Sequence, residues 1–191
     1  MNDANRDWVA LFPGQGSQKI GMGQALAREH EAARRVFEEA DDVLGERLST
    51  LCFEGPEEEL RLTRNTQPAL LATSVAAWRV VADEVPMPAV AAGHSLGEFS
   101  ALVAAGVLGF ADALRAVRVR GEAMQDAVPV GVGGMAAVIG LEGAKVAELC
   151  ERAAAGERVV VPANINAPDQ LVVAGHKEAV DRVVEAAKQG G

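Results

Sequence analysis

Apolar positions along the chain follow two rhythms, short uninterrupted runs and helical repeats. Trp8-Val9-Ala10-Leu11-Phe12 is a short run stopped by Pro13-Gly14, which predicts a buried strand entering a loop. Between Gly23 and Leu44 the apolar residues Leu26, Ala33, Val36, Phe37, Ala40 and Leu44 recur at helical spacing, which predicts one helix. Pro56-Glu57-Glu58-Glu59 predicts the start of a short helix, with acids at its positive end. Pro68 is expected to open a further helix reaching about Glu84, with Leu71, Val75 and Trp78 on its apolar face. Pro86 and Pro88 end that pattern, and Ala89-Val90-Ala91-Ala92-Gly93 then reads as a central strand. Immediately after Ser95 the pattern turns helical, from Leu96 to Ala105, and Gly106 closes it. Phe110 to Ala127 predicts another helix, ended by Pro129.

A second pattern starts after Gly131-Val132-Gly133-Gly134. Met135–Leu141 reads as a strand and Gly143–Ala155 as a helix. Val159–Ile165 and Gln170–Ala174 read as strands joined by the turn Asn166-Ala167-Pro168-Asp169. His176–Lys188 reads as a helix with Val180, Val183, Val184 and Ala187 on one face. Strand, helix, strand, strand, helix is five elements of the six-element ferredoxin-like order, without the closing strand. The class is α/β, with expected divisions at residues 1–130 and 131–191.

Composition narrows the partners. The 191 residues carry a formal charge of -9, which argues against nucleic acid as a partner. The longest apolar stretch, Ala101 to Leu108, is far shorter than the roughly 20 residues of a membrane helix, so no membrane partner is expected. The start, Met1 to Asp7, is polar and has no signal-peptide core. Cys52 and Cys150 are the only cysteines, which suits a cytoplasmic location and buried thiols rather than a disulfide framework.

The chemistry concentrates at Gly93-His94-Ser95-Leu96-Gly97, a G-x-S-x-G pattern between a predicted strand and a predicted helix. Such a turn exposes the Ser95 hydroxyl and uses Gly93 and Gly97 for close backbone approach. The amide of Leu96, at the start of the next helix, is placed to receive an oxyanion. His94 is read as support for the turn rather than as a base, because neighbours in a tight turn project differently. His30 reads as a mid-helix surface residue, and His176 as a capping or surface residue. No His and Cys pair has metal-ligand spacing, so no metal is expected.

Two segments together resemble the signatures of the malonyl-CoA:acyl carrier protein transacylase family: Leu11-Phe12-Pro13-Gly14-Gln15-Gly16-Ser17-Gln18 and Gly93-His94-Ser95-Leu96-Gly97-Glu98. Asn164 to Gly175 and Arg118 to Gln125 resemble two further family segments, so the likeness runs from about Val9 to Gln189. The resemblance implies an α/β-hydrolase-like larger subdomain and a ferredoxin-like smaller one, both incomplete at the C-terminus. It implies Ser95 as the nucleophile, backbone N–H groups of Gln15 and Leu96 as the oxyanion hole, and Arg120 as the group that binds a malonyl carboxylate. Gly93, His94, Gly97 and Asn166 are implied as supporting residues. It also implies a histidine base, supplied by a missing C-terminal segment or a second chain, since none of the three histidines here matches its place.

The implied activity is transfer of malonyl from coenzyme A to the phosphopantetheine thiol of acyl carrier protein through a serine ester, in fatty-acid biosynthesis, with no cofactor. Extender loading in polyketide synthesis is the nearest alternative, and a serine esterase or thioesterase is the alternative of a different class. Carrier docking is expected at a local basic patch, either Arg61 with Arg64 or Arg115 with Arg118.

Overall fold

In the computed structural model, residues 8–128 and 131–189 are described. They fall into two units, one ending at Asp126 and one beginning at Ala127. The first unit contains β1 (Val9–Phe12), α1 (Gln24–Glu29), α2 (Glu31–Leu44), α3 (Leu48–Glu54), α4 (Glu57–Leu60), α5 (Thr63–Val81), β2 (Val90–Gly93), α6 (Leu96–Ala104) and α7 (Phe110–Ala127). Pro129, expected to end α7, lies outside the described residues.

β1 and β2 pair in parallel, with Phe12 opposite Gly93, so both chains leave the sheet at the same end. Among the described residues these two strands pair only with each other. The expectation of buried and central strands is therefore corrected. Ala10 is buried, but Leu11 is 76% exposed and Val90 53%, because each strand keeps an open edge and face. The core of this unit is helical instead. Val36, Phe37 and Ala40 of α2, Leu71 and Val75 of α5, and Leu114 and Val117 of α7 pack together around Leu96.

The single helix expected over 23–44 is two helices. His30 is extended (φ −125°, ψ 120°), closes α1 and opens α2. The reason is a contact: a Cβ on Gly23 would lie 2.4 Å from the Phe37 ring. In one straight helix those positions would be roughly 21 Å apart along the axis. The break at His30 lets α1 fold back over Phe37.

Pro68 also sits differently. It lies inside α5 rather than at its start. A proline there withholds the N–H that would bond the carbonyl four residues earlier, which is that of Arg64. Arg118 Nη1 donates to that oxygen at 2.8 Å instead. A side chain from α7 thus replaces the missing helix bond, and the helix runs through the proline.

The second unit contains β3 (Gly133–Ile139), α8 (Gly143–Ala153), β4 (Val160–Ala167), β5 (Gln170–His176) and α9 (Lys177–Gln189). Its sheet is antiparallel in the order β3-β5-β4. Val146, Leu149, Val160, Leu171, Val173, Val180 and Val183 form its core. Pro162 is accommodated because β4 is an edge strand in this sheet. The expected four-residue turn is tighter: Asn166 and Ala167 belong to β4, and only Pro168-Asp169 turn. His176 ends β5 rather than opening α9, and its Nδ1 accepts the Val159 N–H at 3.0 Å.

Candidate active site

Ser95 joins β2 to α6 with φ 53° and ψ −106°, and no other described residue besides glycines has positive φ. A side chain rarely adopts that backbone, so the surroundings must enforce it. They do so through glycines. A Cβ on Gly93 would stand 2.0 Å from the Gly97 carbonyl carbon, and one on Gly97 would stand 2.2 Å from the Phe12 oxygen. A Cβ on Gly14 would meet the His94 oxygen at 2.7 Å. The loop after β1 and the turn after β2 are thus pressed together, backbone on backbone, and only glycine fits between them.

The result is a hydroxyl presented outwards. Ser95 and His94 are exposed, whereas Leu96 and Gly97 behind them are buried. The Gly97 N–H bonds back to the His94 oxygen at 2.9 Å, closing the turn. Leu96 begins α6, so its amide is among the unpaired donors of a helix start. Gln15 lies in the loop held against His94, and its Nε2 donates to Thr63 Oγ1 at 3.2 Å.

Arg120 comes to Ser95 from α7. Its Nη2 donates to Ser95 Oγ at 2.9 Å and its Nη1 to Gln67 Oε1 at 2.6 Å. Gln67 is fully buried in α5. The sequence carried a signal for it: Gln67 stands four residues before Leu71, on the apolar face of that helix. A polar side chain on a buried face needs a partner.

The segment from Arg118 to Gln125 now has a structural account. A Cβ on Gly121 would lie 2.8 Å from the Arg64 Cα, so α7 and α5 approach closely there. Met124 Sδ accepts from Gln67 Nε2 at 3.2 Å, and Gln125 Oε1 accepts the Thr63 N–H at 3.1 Å. Arg118 bonds Arg64 O and Asn65 Oδ1 and pairs with Glu46. Arg118 and Arg120 therefore reach α5 at different places, and only Arg120 reaches Ser95.

Arg118 is consequently no free docking cation. Arg61, Arg64 and Arg115 are likewise paired, with Glu57, Glu59 and Asp112. The expected basic patches are offset by their own carboxylates. Asn166 is exposed on β4 of the second unit, within a register shift between Ile165 and Ala167. Of the histidines in the first unit, His30 caps helices and His94 flanks the turn, while the Ser95 hydroxyl is bonded by Arg120. Among the described residues no cluster of three metal-ligating side chains occurs. An open cleft of about 510 Å³ is lined by Arg118, Glu46 and Glu122 but not by Ser95 or Arg120, so it is separate from this chemistry.

A strained serine between a strand and a helix, gripped by a loop of glycines and touched by an arginine, has a match among known families. The family described as the acyl transferase domain matches residues 9–191. The chain belongs to that family. Its sequence is similar to that of the malonyl CoA-acyl carrier protein transacylase of Salmonella typhimurium, at 54% identity over 95% of this chain and 59% of that protein. The protein of the same name from Bacillus subtilis is 49% identical over 95% of this chain and 57% of its own length. Among solved structures, the malonyl CoA-acyl carrier protein transacylase of Coxiella burnetii superposes with a TM-score of 0.89 at 48% identity, covering 96% of this chain and 58% of that one. A type II polyketide synthase acyl-carrier protein complexed with its malonyl-transacylase gives 0.88 at 50% identity, covering 96% and 59%. The acyl transferase chain thus spans under two thirds of the length of these relatives.

Proposed function

We propose that this acyl transferase chain moves a malonyl group from coenzyme A to the thiol of an acyl carrier protein, by way of an ester on Ser95. The observation that carries this reading is the Arg120 Nη2 to Ser95 Oγ contact of 2.9 Å at a strained strand-helix turn. A hydrolase needs the exposed hydroxyl but has no use for a guanidinium beside it. A substrate whose acyl group ends in a carboxylate does, because a planar guanidinium pairs with carboxylate in a defined orientation.

In this reading Ser95 Oγ attacks the thioester carbonyl, and its proton passes to a base that neither His30 nor His94 supplies. The oxyanion rests on the amides of Leu96 and Gln15, a contribution of about 2.7–4 kcal/mol for each donor in comparable sites. The coenzyme A thiol leaves, Ser95 holds malonyl as an ester, and the carrier thiol attacks that ester in turn. Arg120 keeps the free carboxylate in place through both halves. Gly93, His94 and Gly97 hold the turn in shape.

The acyl carrier protein as partner is supported by the names of the relatives and by the solved complex. Fatty-acid synthesis and polyketide synthesis use the same chemistry, and the likeness to both kinds of relative accommodates either. We also read the first unit as α/β-hydrolase-like over about 1–130 and the second as ferredoxin-like over 131–191. The β3-β5-β4 order with α8 and α9 supports the latter, since a split β-α-β unit places its third strand between the first two. Among the described residues no helix is long and apolar enough to cross a membrane. A cytoplasmic location is in keeping with two buried, unpaired cysteines.

The test is the fate of malonyl-CoA. Release of coenzyme A should depend on added acyl carrier protein and yield malonyl carrier. Release at the same rate into water alone would show a thioesterase instead.

A further inference from the structure

We propose that Gln67 is a positioning residue that aims Arg120 at Ser95 and so sets the preference for a carboxylated acyl group. The inference rests on the reading of Arg120 as the carboxylate clamp. Arginine is long and loses considerable rotamer freedom when held in one geometry. Arg120 must therefore be held by something other than its substrate if the site is ready before binding. Gln67 Oε1 accepts Arg120 Nη1 at 2.6 Å, which leaves Nη2 on Ser95 Oγ at 2.9 Å. Two fixed nitrogens set the direction of the guanidinium fork.

The amide itself is held in one orientation. Gln67 is fully buried, and its Nε2 faces Met124 Sδ at 3.2 Å. A thioether accepts hydrogen bonds and cannot donate them, whereas a guanidinium donates and cannot accept. The nitrogen end must face Met124 and the oxygen end must face Arg120. Met124 and Arg120 are four residues apart on α7, one turn of the same face, so α7 grips both ends of the amide. The helix carrying Gln67 is in turn held close to α7 at Gly121, where a Cβ would lie 2.8 Å from the Arg64 Cα. Among the described residues no other hydrogen bond connects α5 to the guanidinium of Arg120.

The experiment compares Gln67→Met, which keeps length and loses the acceptor, with Gln67→Asn, which keeps an amide but withdraws its oxygen by one methylene. Each is measured beside wild type and Arg120→Ala for affinity toward malonyl-CoA and acetyl-CoA by calorimetry. The ratio of the two affinities is the readout, because general damage to packing lowers both together. In both Gln67 variants the malonyl preference should fall about tenfold, the loss expected when one charge-assisted bond no longer orients its donor. Arg120→Ala should abolish the preference. If Arg120→Ala abolishes it and both Gln67 variants retain the wild-type ratio, the positioning role is overturned and the clamp stands. If Arg120→Ala keeps the wild-type preference, or wild type shows none, the clamp reading fails and the proposal falls with it. Should Gln67→Met not fold, the Asn variant alone decides.

Discussion

Arg120 Nη2 lies 2.9 Å from Ser95 Oγ, although Ser95 precedes α6, Arg120 lies within α7 and the two stand 25 positions apart. The pair places a fixed positive charge within one acyl chain of the nucleophile. Arg120→Lys retains the charge and loses the planar fork. It should lower the malonyl-over-acetyl preference less than Arg120→Ala, for which we expect a loss of about a hundredfold from two charge-assisted bonds. Competition between the two thioesters, read as the ratio of products, checks this order.

The backbone at Ser95 stores strain, because a side chain sits at φ 53°. Ser95→Gly removes both the nucleophile and the strained Cβ. The variant should therefore be inactive yet more stable than wild type by about 1 kcal/mol, as favourable positive-φ substitutions are. Urea unfolding followed by tryptophan fluorescence measures it. A Ser95→Gly variant less stable than Ser95→Ala, which loses the hydroxyl but keeps the Cβ, would show that Ser95 is not strained.

Gly97→Ala acts in the opposite direction. Its new Cβ would meet the Phe12 oxygen at 2.2 Å, a backbone atom with no room to retreat. A cost of about 3 kcal/mol is expected, at the upper end for overpacking. The same urea experiment reads it, together with loss of Ser95 reactivity.

These glycines also show what the sequence made legible. Gly93, Ser95 and Gly97, set between an apolar run and a helical pattern, are enough to read a sharp strand-to-helix turn at Ser95, because few other residues tolerate such backbone approach. The roles of Gln15 and Arg120 are implied by resemblance alone, and the structure brings Arg120 to Ser95. Gln67 escapes the sequence reading because the helix is read there only from Pro68 onward, and its partner Arg120 stands 53 positions away. The break at His30 and the passage of α5 through Pro68 were missed for a related reason. Each depends on a distant side chain, Phe37 packing on Gly23 and Arg118 bonding Arg64 O. Periodicity reads only local order, and it carries no information about such contacts.

Arg118 provides a control for Arg120. It repairs the helix beside Pro68 and pairs with Glu46, but does not touch Ser95. Arg118→Ala should destabilise the first unit by about 2 kcal/mol, since it leaves the Arg64 carbonyl beside Pro68 without its donor. The malonyl-over-acetyl ratio should stay at the wild-type value. Thermal melting and the product ratio together separate the two arginines.

Cys52 offers a pH test. Burial, with the nearby charge of Asp41 adding to it, pushes its thiol from 9.0 up to about 12. The folded state therefore favours the neutral thiol more than the unfolded chain does. That contribution is fully present below pH 9 and is lost as pH rises from about 9 towards 12. Stability should fall across this window, and Cys52→Ala should flatten the fall. Native Cys52 should also resist alkylation at pH 8.5 and react once the chain is unfolded.

The most direct measurement is the intact mass of the chain after incubation with malonyl-CoA, with imidazole added to serve as the general base, followed by peptide mapping. One malonyl group on Ser95 is expected, absent in Ser95→Ala and formed far more readily than the acetyl ester from acetyl-CoA. Malonyl at another residue, or equal labelling by the two thioesters, would contradict the assignment of Ser95 as nucleophile and Arg120 as its carboxylate clamp.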